Sequence, residues 1–211
     1  MPPMGGERVN IMPNELKNSE TCLNLMRAFA GESQARNRYT FAASEAKKQG
    51  MYVVEAIFNY TAGQEKEHAE IFYNYLSGLA GDNISVDGSY PVDIDSSIAS
   101  LLRSAEHNEY EEYRDAYKHF GDVAEREGFL QIAASFRDIA NIEKTHGDRF
   151  AGLAELLETG RLFVSDVECG WVCLNCGHVH SGKAAPENCP VCHHAKGYFI
   201  RLTMAPWSIK E

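Results

Sequence analysis

The sequence predicts a mainly α protein, a four-helix bundle followed by a small domain that a metal must staple. Three observations carry that expectation. Four long stretches repeat apolar residues at helical spacing and stop at glycines; Glu-x-x-His occurs twice, at Glu65 to His68 and Glu143 to His146; and two Cys-x-x-Cys pairs crowd toward the C-terminal end. Each element follows from its own residues.

Residues 1–18 hold Pro2, Pro3, Gly5 and Gly6 and no apolar core, so they read as a flexible lead-in and not as a secretory signal. The bundle is expected over residues 19–160. Ser19 is the expected N-cap of the first helix, which runs through Leu23, Leu25, Met26, Ala30, Tyr39, Phe41 and Ala42 to a stop at Gly50. The second, Tyr52 to Leu76, repeats the pattern through Val53, Ile57, Phe58, Ala69 and Phe72 and ends at Gly78. A break as short as Gly50 makes the two an antiparallel hairpin.

Between Gly78 and Asp93 the residues Gly81, Asp82, Asn83, Asp87, Gly88, Ser89 and Pro91 interrupt any period, so the segment is a connection of crossover length. A ferritin-like up-down-down-up bundle needs such a link between its second and third helices. Asp95 or Ser96 then caps a third helix to about Glu127, with Ile98, Leu101, Leu102, Ala105, Tyr113, Phe120 and Val123 facing inward. After Gly128 the fourth helix spans Phe129 to Leu157 through Ile132, Phe136, Ile139, Ile142, Phe150, Leu153 and Leu156, and Gly160 closes it.

The hairpins repeat each other. Glu32 precedes Glu65 by 33 residues, and Glu109 precedes Glu143 by 34. Residues three apart on a helix share a face, so each Glu-x-x-His presents one oxygen and one nitrogen to a common point. With a lone Glu on the helix before it, each half supplies part of a carboxylate-bridged di-iron or di-manganese pattern. A single helical Glu is ordinarily a solvated surface residue. Here the Glu residues share faces with Phe29, Ala35, Tyr39, Ala62, Phe72, Ile139 and Ile142, and several carboxylates in one core are tolerable mainly around a cation. His107 and His119 have no Glu at the preceding third position and are expected to face water. Tyr39 and Tyr117 are either core aromatics or partners of a ligand, since a buried phenol wants an acceptor.

Residues 161–211 are too few to bury a core and need a staple. Cys173 and Cys176, with Cys189 and Cys192, form two knuckles suited to tetrahedral thiolate coordination of Fe or Zn. His178, His180, His193 and His194 leave a mixed ligand set open; Cys22 and Cys169 read as bystanders. Alone, the knuckles would be a structural zinc ribbon. Beside a redox-capable binuclear centre, a one-electron Fe(Cys)4 site has a task, which favours iron. Cysteines in this arrangement without an export signal point to a reducing compartment, with the cytoplasm as default. A formal net charge of −10 argues against a nucleic-acid surface, and no apolar run reaches membrane-spanning length.

The motifs resemble the rubrerythrin family. Ala30 to Tyr39 is similar to that family's first ligand helix, Gln64 to Ala69 to its second, Glu109 to Tyr117 to its third with an additional carboxylate at Glu112, and Ile142 to His146 to its fourth. The two knuckles are similar to its rubredoxin-like tail. His193 departs from the Gly that often follows the second knuckle in free-standing rubredoxins. The resemblance implies two iron ions held by Glu32, Glu65, Glu109, Glu112, Glu143 and His146, with Glu112 and His68 exchanging on one iron as redox state changes. It implies a third iron on Cys173, Cys176, Cys189 and Cys192, with zinc able to occupy either site, and Tyr39 and Tyr117 as hydrogen-bonding partners. The implied activity is reduction of hydrogen peroxide to water, with electrons from a rubredoxin or an NAD(P)H-dependent reductase, in a homodimer or larger homo-oligomer. The rivals are a ferroxidase or O2-reducing di-iron protein and, outside enzymes, a zinc-stabilised interaction module.

Overall fold

The Ser19 hydroxyl accepts a hydrogen bond from the Cys22 amide and so caps the first long helix, as its position in sequence predicts. The structure, a computed structural model, describes residues 13–205. Its helical part comprises α1 (Pro13–Lys17), α2 (Glu20–Lys48), α3 (Tyr52–Tyr75), α4 (Ile98–Glu111), α5 (Tyr117–Arg126) and α6 (Leu130–Glu158). Part of the expected lead-in is thus ordered: α1 buries Leu16 in the apolar cluster that also holds Phe72 and Leu76, and Lys17 pairs with Asp82 at 2.7 Å. Residues 1–12 of that expectation lie outside the described residues.

Gly50, Gly128 and Gly160 take positive φ values of 72°, 84° and 69° and turn the chain at three helix ends. At the end of α3 the turn falls elsewhere, because Gly78 lies in a short 3-10 segment and Gly81 carries the positive φ. Ser97, not Asp95 or Ser96, caps α4; its hydroxyl accepts from the Ser100 amide while Asp95 accepts from the amide of Ser97. Two residues placed on inward stripes face out instead. Phe41 is 69% exposed and Ile142 38%, since each sits at the edge of a stripe already filled by alanines and phenylalanines.

The expected third helix is broken into two by a π-turn at Glu112–Ala116. The pairs α2 with α3, and α4 and α5 with α6, pack as two hairpins joined by the crossover. One apolar cluster, with Phe58, Leu102 and Phe150, lies toward the Gly50 end; another, with Phe72, Ile132 and Phe136, lies toward the opposite end, and the carboxylates sit between. Glu127, at the end of α5, accepts hydrogen bonds from the Glu20 and Thr21 amides and so satisfies the start of α2 from the other hairpin.

The tail is a three-stranded antiparallel sheet ordered β2-β1-β3, from β1 (Val164–Cys173), β2 (Val179–Ala184) and β3 (Phe199–Arg201). Trp171, Phe199, Cys173 and Cys189 make its core. It docks at the Gly50 turn: a Cβ on Gly197 would collide with the Gly50 carbonyl oxygen, and Tyr52 stacks on Tyr198 at 4.0 Å.

Candidate metal centres

Four helices each bring one carboxylate to the middle of the bundle because that Glu lies on the buried stripe: Glu32 on α2, Glu65 on α3, Glu109 on α4 and Glu143 on α6. His68 and His146 follow three residues after Glu65 and Glu143 and bury with them. The donor atoms form two groups, each within 4.8 Å: Glu32, Glu65, His68 and Glu143 in one, and Glu65, Glu109, Glu143 and His146 in the other. Glu65 and Glu143 belong to both and are therefore placed to bridge.

His146 Nδ1 lies 2.8 Å from Glu143 Oε2, 3.0 Å from Glu65 Oε1 and 3.4 Å from Glu109 Oε2. His68 Nδ1 lies 2.9 Å from Glu143 Oε1, 3.2 Å from Glu65 Oε2 and 3.9 Å from Glu32 Oε2. Burial, reinforced by neighbouring carboxylates, pushes Glu32 and Glu109 well above the usual carboxylate range. Burial would raise Glu65 too, but hydrogen bonds from His146 and His68 outweigh it and hold Glu65 at about 2. For the imidazoles burial lowers the pKa, yet the surrounding carboxylates win and push His68 up to about 9 and His146 up to about 12.

The fit to metal shows in how the donors converge. Glu32 Oε2, Glu65 Oε1, Glu109 Oε2, both oxygens of Glu143 and His146 Nδ1 are buried and make no well-directed hydrogen bond among the described residues, although the imidazole nitrogens stand within ion-pair distance of Glu65 and Glu143. Buried polar atoms nearly always find directed hydrogen bonds, so six donors that converge without them mark a site built for cations. Oxygen and imidazole donors in overlapping sets suit a pair of iron ions.

The Tyr39 hydroxyl donates to Glu109 Oε1, and the Tyr117 hydroxyl donates to Glu32 Oε1 at 2.5 Å. Each hairpin's phenol thus holds the lone Glu of the other. Burial and then the carboxylates raise both phenols well above their usual range. The spacing differs, seven residues from Glu32 to Tyr39 and eight from Glu109 to Tyr117, and the π-turn takes up the extra residue. Glu112 opens that turn. It belongs to neither donor group; burial first, then Glu109, pushes its carboxyl up, and it lines a cavity of about 230 Å³ with Gly31, Tyr90 and Tyr117. Gln64, which the sequence alone gives no role, places its Oε1 3.1 Å from His146 Nε2. Its signal was the mismatch with Ile142 at the same place in the second half. His107 and His119 are exposed and stay outside the centre.

In the tail, the Sγ atoms of Cys173, Cys176, Cys189 and Cys192 lie within 4.8 Å of one another, with Cys173 to Cys192 at 3.7 Å and Cys176 to Cys189 at 3.6 Å. A metal–sulfur bond of about 2.3 Å gives a tetrahedral edge of about 3.8 Å, so the four sulfurs fit one ion. None of the four nearby histidines, nor Cys169, joins this group. The His194 amide donates to Cys192 and, with the neighbouring thiols, holds it down at about 5. The knuckles turn alike: Gly177 N–H donates to Cys173 O at 2.8 Å and His193 N–H to Cys189 O at 2.9 Å, with φ of 77° and 62°.

Among the described residues no helix is long and apolar enough to cross a membrane. The family model for rubrerythrin matches residues 24–154, and that for the rubrerythrin rubredoxin-like domain matches residues 171–200. Rubrerythrin of Porphyromonas gingivalis is 45% identical over 89% of this chain and 92% of its own; rubrerythrin of Nitratidesulfovibrio vulgaris is 41% identical over 89% and 96%. A mixed-valent nigerythrin structure is similar with a TM-score of 0.58 at 26% identity, covering 87% of this chain and 90% of that one. A Desulfovibrio desulfuricans bacterioferritin, at 19% identity, TM-score 0.61 and coverage of 71% and 85%, shares the fold. With a ferritin-like bundle around a carboxylate–histidine di-iron site and a four-cysteine rubredoxin-like site behind it, the chain belongs to the rubrerythrin family.

Proposed function

We propose that the chain is a cytoplasmic non-haem peroxidase that reduces hydrogen peroxide to two waters, taking two electrons and two protons per turnover. The observation that carries this reading is the convergence of buried carboxylate and imidazole donors into two overlapping groups that share Glu65 and Glu143. Bound iron supplies a paired one-electron change at adjacent ions, which suits splitting an O–O bond without releasing a radical.

The chain's own residues do the rest. Glu32, Glu65, Glu109, Glu143, His68 and His146 would hold the pair, and burial around them excludes bulk water. Tyr39 and Tyr117 fix Glu109 and Glu32 by donating to one oxygen and leaving the other free. Glu112, at the wall of the cavity under Tyr90, is where a small peroxide would first meet the site and where a carboxyl can hold a proton. We assign Glu112 and His68 to alternate on one ion, as the family resemblance implies.

Electrons would enter at Cys173, Cys176, Cys189 and Cys192 from a rubredoxin or an NAD(P)H-dependent reductase. The tail docks at Tyr52, and Glu65 lies thirteen residues along α3, about 20 Å at 1.5 Å per residue. That distance within one chain supports a homodimer in which one tail faces the partner's bundle. The test is anaerobic loading with ferrous iron, element-resolved metal content, and rapid mixing with peroxide or O2. Three irons per chain, two in the bundle and one in the tail, and reoxidation much faster by peroxide than by O2 are expected. One iron or none, or a faster reaction with O2, overturns the peroxidase.

A further inference from the structure

The two halves of the centre match around the metals but differ at the residue before each Glu-x-x-His: Gln64 in the first, Ile142 in the second. The Gln64 side chain crosses from α3 to α6, where its Oε1 lies 3.1 Å from His146 Nε2. An imidazole that offers Nδ1 to a metal must carry its proton on Nε2, and that N–H needs an acceptor to fix the tautomer and the ring plane. Gln64 supplies one to His146. For His68, Nδ1 faces Glu65 and Glu143, while Nε2 has no hydrogen-bond partner among the described residues.

We propose that Gln64 is a positioning residue whose acceptor locks the tautomer and ring plane of His146 as a nitrogen donor; the second half of the repeat, with Ile142 in the equivalent place, lacks that acceptor. The inference rests on the binuclear centre proposed above and adds what fixes His146. The probe is zinc, which is redox-silent, titrated into the metal-free full chain against a competing chelator after the tail has filled, with ¹⁵N-histidine NMR of the loaded protein. Gln64→Met is expected to weaken one of the two bundle zincs about 10-fold and to abolish the exchange-protected Nε2–H resonance of His146. Gln64→Glu, which keeps an acceptor, restores both. A wild-type bundle that takes up no zinc pair overturns the binuclear reading. A pair that binds equally well in Gln64→Met, with the His146 resonance still protected, overturns the role of Gln64 alone, as does failure of Gln64→Glu to restore it.

Discussion

His193 is the one residue other than glycine, among the described residues, whose backbone enters the left-handed region. An L-residue pays about 1–2 kcal/mol there, while replacing it with Gly gives back about 0.4–1 kcal/mol through a freer unfolded chain. The strain term wins. His193→Gly is expected to stabilise the tail by about 1 kcal/mol without loss of its iron, and His193→Val to destabilise it, read as the melting of the red ferric-thiolate absorption. At this scale the sequence was legible wherever chemistry depends on spacing: Glu-x-x-His and Cys-x-x-Cys name their donors because three residues on a helix, or a tight knuckle, bring two atoms to one point. The role of Gln64 was not legible. Its partner His146 stands 82 residues away, and only packing of α3 against α6 joins them.

Among the elements, helical period located α2, α3 and α6 to within a residue or two because their buried stripes are long and their ends carry Ser19, Gly50 or Gly160. It passed over the π-turn, since a pattern of apolar residues tolerates one insertion without losing its stripe. The mismatch between seven and eight residues from Glu to Tyr was the available sign. If the turn only stores an extra residue, removing one restores regular α-helix and keeps Tyr117, Gly121 and Ala124 on the buried face. Deleting Asp115 is therefore expected to leave helicity intact and the metal-free melting temperature within a few degrees. Deleting Ala134 from the regular α6 rotates everything beyond it by about 100° and should abolish the cooperative melt. Equal damage from both deletions, by circular dichroism, would contradict this account.

For the molecule as a whole, the carboxylate cluster sets how stability answers to pH. Without metal, Glu32, Glu109 and Glu112 have pKa values raised in the fold, so the folded chain takes up protons that the unfolded chain leaves in water as pH falls. His68 acts in the same sense: its folded value of about 9 exceeds 6.5, so its contribution is full below 6.5 and is lost as pH rises through 9. Glu65 opposes them only below 4.5, where its contribution fades as pH falls toward 2. The metal-free protein should therefore melt higher at about pH 5 than at about pH 8, and the iron-loaded protein the reverse, because protons compete for the donors. A metal-free protein that melts higher at pH 8 contradicts the placement of these groups.

Glu65 comes from the first hairpin and Glu143 from the second, and each reaches both metal positions. A chain cleaved in the crossover would leave two fragments with no covalent tie, yet the ions would still stitch them together. The bundle would then assemble as a complementation pair whose affinity is set by metal supply.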